Sequence, residues 1–161
     1  MQNKRVEFSY AVYENAAQLA AADAALLESA RKATSNAYAP YSKFRVGAAA
    51  MLSNGQTVTG SNQENASYPV GICAERTLIS SAAHLFPDAA IEALAVSYDG
   101  ERIKSDHPIS PCGMCRQALQ EAENRGGRPI RVILAGKEGE VFIINTVSDL
   151  LPFAFTPTEL G

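Results

Sequence analysis

All the cysteines of this chain fall into two short motifs, Cys73-Ala74-Glu75 and Pro111-Cys112-Gly113-Met114-Cys115. Three thiolates with one nearby carboxylate suit a catalytic zinc, because three protein ligands leave the fourth tetrahedral position open for water. Cys112 and Cys115 are three residues apart, so on a helix both sulfurs share a face and can grip one metal. Pro111 suits the first helical position, where its missing N–H costs nothing. The positive end of the helix dipole lowers a thiol pKa and favours the thiolate that zinc requires. Cys73 is expected to open a second helix, Ala74 to His84, with Leu78, Ile79, Ala82 and Leu85 on one apolar face. Two helix N-termini would then aim at a single ion.

Glu75 sits two residues past Cys73, close to the metal but turned away from ligation. A carboxylate there can take a proton from metal-activated water and pass it to a ring nitrogen or a leaving amine. Zinc with three thiolates is anionic overall, which weakens its power to acidify water. Arg76, donating to a thiolate, would withdraw that charge and restore the acidity. Blander readings compete. Free cysteines are often simply core residues. Glu75 could be a solvated carboxylate favoured by the helix dipole, and Arg76 a surface residue. A purely structural zinc would need a fourth ligand. His84 lies about three helical turns beyond Cys73 and out of reach, whereas His107, in a loop before Pro108, could approach the metal.

The 161 residues form one expected domain, 47% apolar, enough for a core. A net charge of −3 and the small basic clusters Lys4-Arg5 and Arg31-Lys32 argue against a nucleic-acid polymer as partner. No stretch approaches the ~20 apolar residues of a membrane span. The N-terminus lacks an apolar signal region, and three cysteines in a metal pattern fit the cytoplasm better than a disulfide framework.

The elements that must position the motifs follow from periodicity. Val6, Phe8, Tyr10 and Val12 alternate, so residues 5–12 read as a strand within an N-terminal extension, residues 1–15. Asn15 or Asp23 caps an Ala-rich helix ending near Ser35. Val46 to Leu52 and Thr57 to Ser61 are strands joined by a turn at Ser53-Asn54-Gly55. Ile91 to Tyr98 is a buried strand, and a polar, exposed region follows from Gly100 to Ser110. The Cys112 helix runs to about Asn124 and stops at Gly126-Gly127. Ile130 to Ala135 and Val141 to Asn145 are strands, and Val147 to Leu151 a single helical turn. This order predicts an α/β protein: a central mixed sheet with helices on its faces. Cys73 and Cys112 both fall at strand-to-helix junctions, where open α/β sheets bind ligands.

Further segments carry a resemblance. Ala37-Tyr38-Ala39-Pro40-Tyr41-Ser42-Lys43-Phe44 with Val46-Gly47-Ala48-Ala49 is one, and Asn62-Gln63-Glu64-Asn65-Ala66-Ser67-Tyr68-Pro69 another. With Cys73-Ala74-Glu75-Arg76-Thr77, Ser110-Pro111-Cys112-Gly113-Met114-Cys115-Arg116-Gln117 and Asp149-Leu150-Leu151-Pro152-Phe153-Ala154-Phe155, they make residues 25–157 similar to the small zinc-dependent cytidine deaminases. The resemblance implies a three-layer α-β-α fold and one zinc per chain on Cys73, Cys112 and Cys115, with Glu75 as proton shuttle. It implies that Asn62 and Glu64 bind the ribose 3′-hydroxyl, that Phe44 stacks on the pyrimidine, and that the backbone around Ala74 and Ser110 contacts the base. It further implies a homotetramer in which Tyr68 and Phe155 reach into a neighbour's site. Independently of it, Asn62 and Glu64 project to one side of an extended segment and offer donor and acceptor to a hydroxyl, although a turn-stabilising Asn beside a solvated Glu has the same pattern.

The implied function is hydrolytic deamination of free cytidine and 2′-deoxycytidine to uridine and 2′-deoxyuridine, with release of ammonia, in pyrimidine salvage. One alternative is a deaminase of another aminopyrimidine nucleoside such as blasticidin S, which the Asn62–Glu64 pair disfavours. Another is a catalytically silent, zinc-stabilised binding module, which an intact Glu75 disfavours. Arg45, Gln63 and Met114 depart from the family pattern, and the first two border the expected pocket.

Overall fold

Strand β2, Phe44–Leu52, is the axis of the molecule. Its Gly47-Ala48-Ala49-Ala50 run has little side-chain bulk, so helices can approach it from both faces. The turn at Ser53-Asn54-Gly55, with Gly55 at φ +81°, sends the chain back antiparallel as β3, Thr57–Ser61. On the other edge of β2 lies β4, Ile91–Gly100, also antiparallel. Strand β5, Arg131–Ala135, runs parallel to β4. A parallel step needs a crossover, which helix α3, Gly113–Gly126, provides. Strands β6, Val141–Ile144, and β1, Tyr10–Tyr13, complete a mixed sheet of order β1-β6-β5-β4-β2-β3. The computed structural model describes residues 1–161.

Helix α1, Ala21–Ala33, lies on one face, where Leu26, Leu27 and Ala30 pack against Ala49, Ala95 and Ile133. Helix α2, Ala74–Leu85, and α3 cover the other, with Leu78 and Leu119 fully buried against Ala48, Leu94 and Val132. Each of those leucines contributes about 1.5–3 kcal/mol by leaving water. This is the three-layer α-β-α arrangement. Two glycines set its spacing. A Cβ at Gly47 would fall 2.1 Å from the Ala30 carbonyl oxygen, and one at Gly60 would fall 2.5 Å from that of Ala74. Gly60 therefore lets the first turn of α2, with Cys73 before it, press onto β3.

Several boundaries differ from expectation for identifiable reasons. The strand anticipated over 5–12 pairs only at Tyr10–Tyr13, because β6 offers just four partners, Val141–Ile144. The expected single N-terminal helix is divided. Asn15 caps a 3₁₀ turn at Ala16–Gln18, and α1 starts at Ala21 without a side-chain cap. Asp23 caps nothing. It is buried inside the first turn of α1 and accepts from Arg131 Nη1 at 2.7 Å. Pro111 precedes α3 rather than opening it, because Cys112 takes the N-cap position. Leu85, expected on the apolar face of α2, is exposed at the end of that helix. The 100–110 region is largely exposed, yet Ser105 pins it by donating to the Tyr98 carbonyl and accepting from the Lys137 N–H at 2.9 Å. No helix is long and apolar enough to cross a membrane.

Candidate active site

Helices α2 and α3 begin side by side, each from an N-cap cysteine. Cys73 and Cys112 both have extended backbone (ψ 156° and 168°), and neither sulfur caps its own helix. Both sulfurs are therefore free to turn toward the gap between the helices. Cys115, fully buried in the first turn of α3, supplies the third. The Cys73 and Cys112 sulfurs are 3.8 Å apart, those of Cys112 and Cys115 3.5 Å, and all three lie within 4.8 Å of one another. A metal about 2.3 Å from each sulfur at tetrahedral angles would set them about 3.8 Å apart. The thiol cluster thus has the donor set and the spacing for one zinc. His107 is not part of it; its ring faces the Tyr98 hydroxyl and the Asp106 carboxylate.

Electrostatics agree with that use. The hydrogen bond from Cys115 brings the Cys73 thiol down to about 6, against burial and the Glu75 charge, which push it up. The same hydrogen bond, with burial, pushes Cys115 up. Without metal, one negative charge is therefore held mainly on Cys73. Arg76 donates to none of the sulfurs and acts on Cys73 only as a nearby positive charge, the smallest of the causes. The expected guanidinium-to-thiolate hydrogen bond is thus not formed.

Glu75 is 4% exposed. Burial pushes its pKa up, and the hydrogen bonds it receives from its own backbone N–H and from Cys115 offset this only in part. Ala74, buried beside it, and Ser110, exposed ahead of α3, flank the cluster in sequence.

A cavity of about 500 Å³ opens next to Cys73, lined by Tyr41, Asn62, Glu64, Tyr68, Ile72 and Met114 among others. Asn62 and Glu64 thus share one cavity. The Asn62 amide is largely engaged: Oδ1 accepts from the Val46 N–H at 2.7 Å, and Nδ2 donates to the Phe44 carbonyl at 2.9 Å. Glu64 accepts through Oε2 from the N–H groups of Tyr41 and Ser42. Desolvation pulls the Glu64 pKa upward, but hydrogen bonds from the Ser42 side chain and those two amides outweigh it and hold the carboxyl below its usual value. Gln63 borders the cavity as expected, its side chain donating to Asn36 and Ser61.

Phe44 does not line that cavity. Its ring stacks on the buried Tyr98, centroids 5.2 Å apart and planes 26° from parallel. Tyr68 is 76% exposed at the cavity rim, beside Tyr41. Phe155 is 58% exposed and lies outside the cavity. Arg45 is exposed, facing Glu101.

Sequence reasoning missed three features. The Tyr41 and Ser42 amides hold Glu64, and Met114 walls the cavity; both lie inside motifs already singled out. Glu123 is the third. It falls on the same helical stripe as Cys115, Leu119 and Ala122, and a carboxylate on an apolar stripe signals a built polar network. Buried, it accepts from the N–H groups of Ile130 and Val147 and from the hydroxyls of Thr146 and Ser148.

A three-layer α/β sheet with two helix N-termini closing on three thiols, and a buried glutamate beside them, defines a zinc-dependent deaminase. Residues 20–126 match the family model for the cytidine and deoxycytidylate deaminase zinc-binding region. The chain belongs to that family. It is 39% identical over 136 residues to a cytidine deaminase of Halalkalibacterium halodurans, covering 84% of this chain and 96% of that protein. A cytidine deaminase of Sporosarcina psychrophila is 41% identical over 138 residues, 84% of this chain and 93% of its own. The crystal structure of cytidine deaminase from Burkholderia pseudomallei superposes with a TM-score of 0.69 at 41% identity, over 81% of this chain and 97% of that one. The enzyme from Mycobacterium tuberculosis does so with 0.63 at 34%, over 82% and 95%.

Proposed function

We propose that this protein hydrolyses free cytidine and 2′-deoxycytidine to the corresponding uridines and ammonia, a step of pyrimidine salvage. The observation that carries the reading is the buried Glu75 carboxylate beside three thiols spaced for one zinc. Cys73, Cys112 and Cys115 would hold the zinc, which when bound would supply an acidified water for attack at C4 of the pyrimidine. Glu75 would take the proton from that water and deliver it to N3, then take the proton of the new C4 hydroxyl and pass it to the departing amine as the C4 carbonyl forms. Its raised pKa suits a carboxyl that must both accept and return a proton near neutral pH. Arg76 contributes positive charge near an anionic centre.

The cavity beside Cys73 is the proposed nucleoside site. Glu64 keeps Oε1 free of the backbone amides that hold Oε2, and that oxygen is assigned to the ribose 3′-hydroxyl. Asn62 retains one Nδ2 hydrogen for the sugar while its other contacts fix the segment. The Phe44 ring, which stacks on Tyr98 outside that cavity, is assigned to the pyrimidine on the resemblance alone, with the backbone near Ala74 and Ser110 at the base edge. Exposed Tyr68 and Phe155 are assigned to a neighbouring subunit's site in a homotetramer. Three thiols and no disulfide suit the reducing cytoplasm.

Ammonia release from cytidine by the zinc-loaded protein is the direct test. Activity is expected with cytidine and 2′-deoxycytidine and not with free cytosine or an oligonucleotide. No ammonia from either nucleoside overturns the reading. Activity that persists in a species shown by light scattering to be monomeric overturns the shared-site assembly.

A further inference from the structure

We infer that Arg116 is a positioning residue that couples the metal turn to the C-terminal segment, so that zinc retention and the placement of Phe155 depend on each other. The guanidinium bridges two distant pieces of backbone. Nε donates to the Pro111 carbonyl at 2.8 Å, one residue before Cys112, and Nη1 donates to the Leu150 carbonyl at 3.0 Å. Arg116 itself directly follows Cys115. One planar cation thus ties the peptide before one metal ligand, the residue after another, and the entry to Leu151–Phe155.

Helix-dipole electrostatics do not explain an arginine here. It lies in the first turn of α3, where the dipole disfavours a cation and which contains no acidic residue. Two carbonyl acceptors shared by one planar guanidinium with several donors do explain it. A lysine could reach one of them but not hold both at fixed separation.

The C-terminal segment depends on α3 for its tethering. Beyond the local turns, residues 150–156 make hydrogen bonds to the rest of the protein through Arg116 and through Gln117, whose Nε2 donates to the Phe155 carbonyl at 2.7 Å. Upstream, Glu123 of the same helix holds Thr146, Val147 and Ser148. Helix α3 therefore grips the chain at three levels, and its first turn is also the metal turn. Leu150 packs into the core at the start of the segment, but Phe153, at φ +62° and 95% exposed, adds no packing beyond it. Movement of the Leu150 carbonyl pulls on the Pro111 carbonyl through one rigid group. By linkage, what metal does to the segment, the segment does to metal.

The inference rests on zinc at the three thiols but not on cytidine as substrate. The test follows zinc transfer from the loaded protein to an excess of a chromogenic chelator, with backbone hydrogen exchange across residues 147–156, in wild type, Arg116→Lys and Gln117→Ala. Arg116→Lys is expected to speed transfer about tenfold, the scale on which groups outside the ligand set tune metal affinity. It should also speed exchange of the Asp149 and Leu151 amides, which donate to the Thr146 and Ser148 carbonyls, while those of Leu94–Val96 stay protected. Gln117→Ala, which removes only the tether at Phe155, should speed transfer about fivefold. Unchanged transfer in both variants overturns the coupling. So does faster transfer in Arg116→Lys with the Asp149 and Leu151 amides still protected. Should Arg116→Lys fail to fold, wild-type transfer in Gln117→Ala is itself sufficient to overturn it. Loss of cytidine turnover in wild type, with these responses intact, would instead count against the substrate assignment.

Discussion

Cys73 and Cys112 occupy equivalent positions in two different helices: each is an N-cap with extended backbone, and their sulfurs lie 3.8 Å apart. The N-termini of both helices, the positive ends of their dipoles, thus meet at the cluster. Thiolate charge there is favoured by both helices.

Replacing Cys112 with alanine leaves two sulfurs and breaks the set. The variant is expected to purify with well under one zinc per chain and to melt at lower temperature, because metal binding energy is coupled to folding. Metal analysis and thermal unfolding check it, and full zinc occupancy would sink the assignment of the cluster.

In metal-stripped protein, Cys73 should be the first thiol to react with iodoacetamide. Its thiolate population rises as pH rises through about 6, so the alkylation rate should climb with a midpoint there, whereas Cys115, with its pKa pushed up, stays unreactive. Peptide mapping of the labelled protein decides. Equal labelling of both residues at pH 7 contradicts it.

Glu75→Gln preserves shape but cannot move a proton. Zinc content and melting should stay near wild type while kcat falls roughly 10²–10⁴-fold, the usual contribution of a general acid–base group. Near-normal kcat in zinc-replete protein would remove Glu75 from the mechanism.

Arg76→Gln removes a positive charge without breaking a hydrogen bond to sulfur. The site becomes more anionic, so proton loss from its water becomes harder and the acidic limb of the pH–rate profile moves to higher pH. A limb that does not move would leave Arg76 a packing or surface residue.

Glu64 yields a specificity and a stability outcome. Wild type should favour cytidine over 2′,3′-dideoxycytidine by more than the roughly 1.5–3 kcal/mol of one charged hydrogen bond, because the unpaired carboxylate adds its own cost. Glu64→Ala should lose most of that preference with zinc in place. Separately, the folded-state pKa of Glu64 is depressed. Its contribution to stability is therefore present above the ordinary carboxyl value and is lost as pH falls through the depressed one. Acid unfolding of Glu64→Gln should lack that component. Equal kcat/KM for the two nucleosides in wild type would overturn the sugar assignment.

Local chemistry in the sequence was enough to locate the three thiols, the carboxylate beside them, the helices that the cysteines open and the turn at Ser53-Asn54-Gly55. Each depends on spacing within a few residues, which is where helix caps, dipoles and turn preferences act. Tertiary structure decided what depends on partners far along the chain. Gly60 fixes how closely the start of α2, just after Cys73, meets β3. Asn62 spends most of its amide on Phe44 and Val46, 16 to 18 residues away. Asp23 finds Arg131 across 108 residues instead of capping a helix, and the alternation over 5–12 becomes strand only where β6 supplies partners. Backbone and side-chain hydrogen bonds go to whichever group the fold brings within 3 Å or so, and periodicity along the chain does not carry that information.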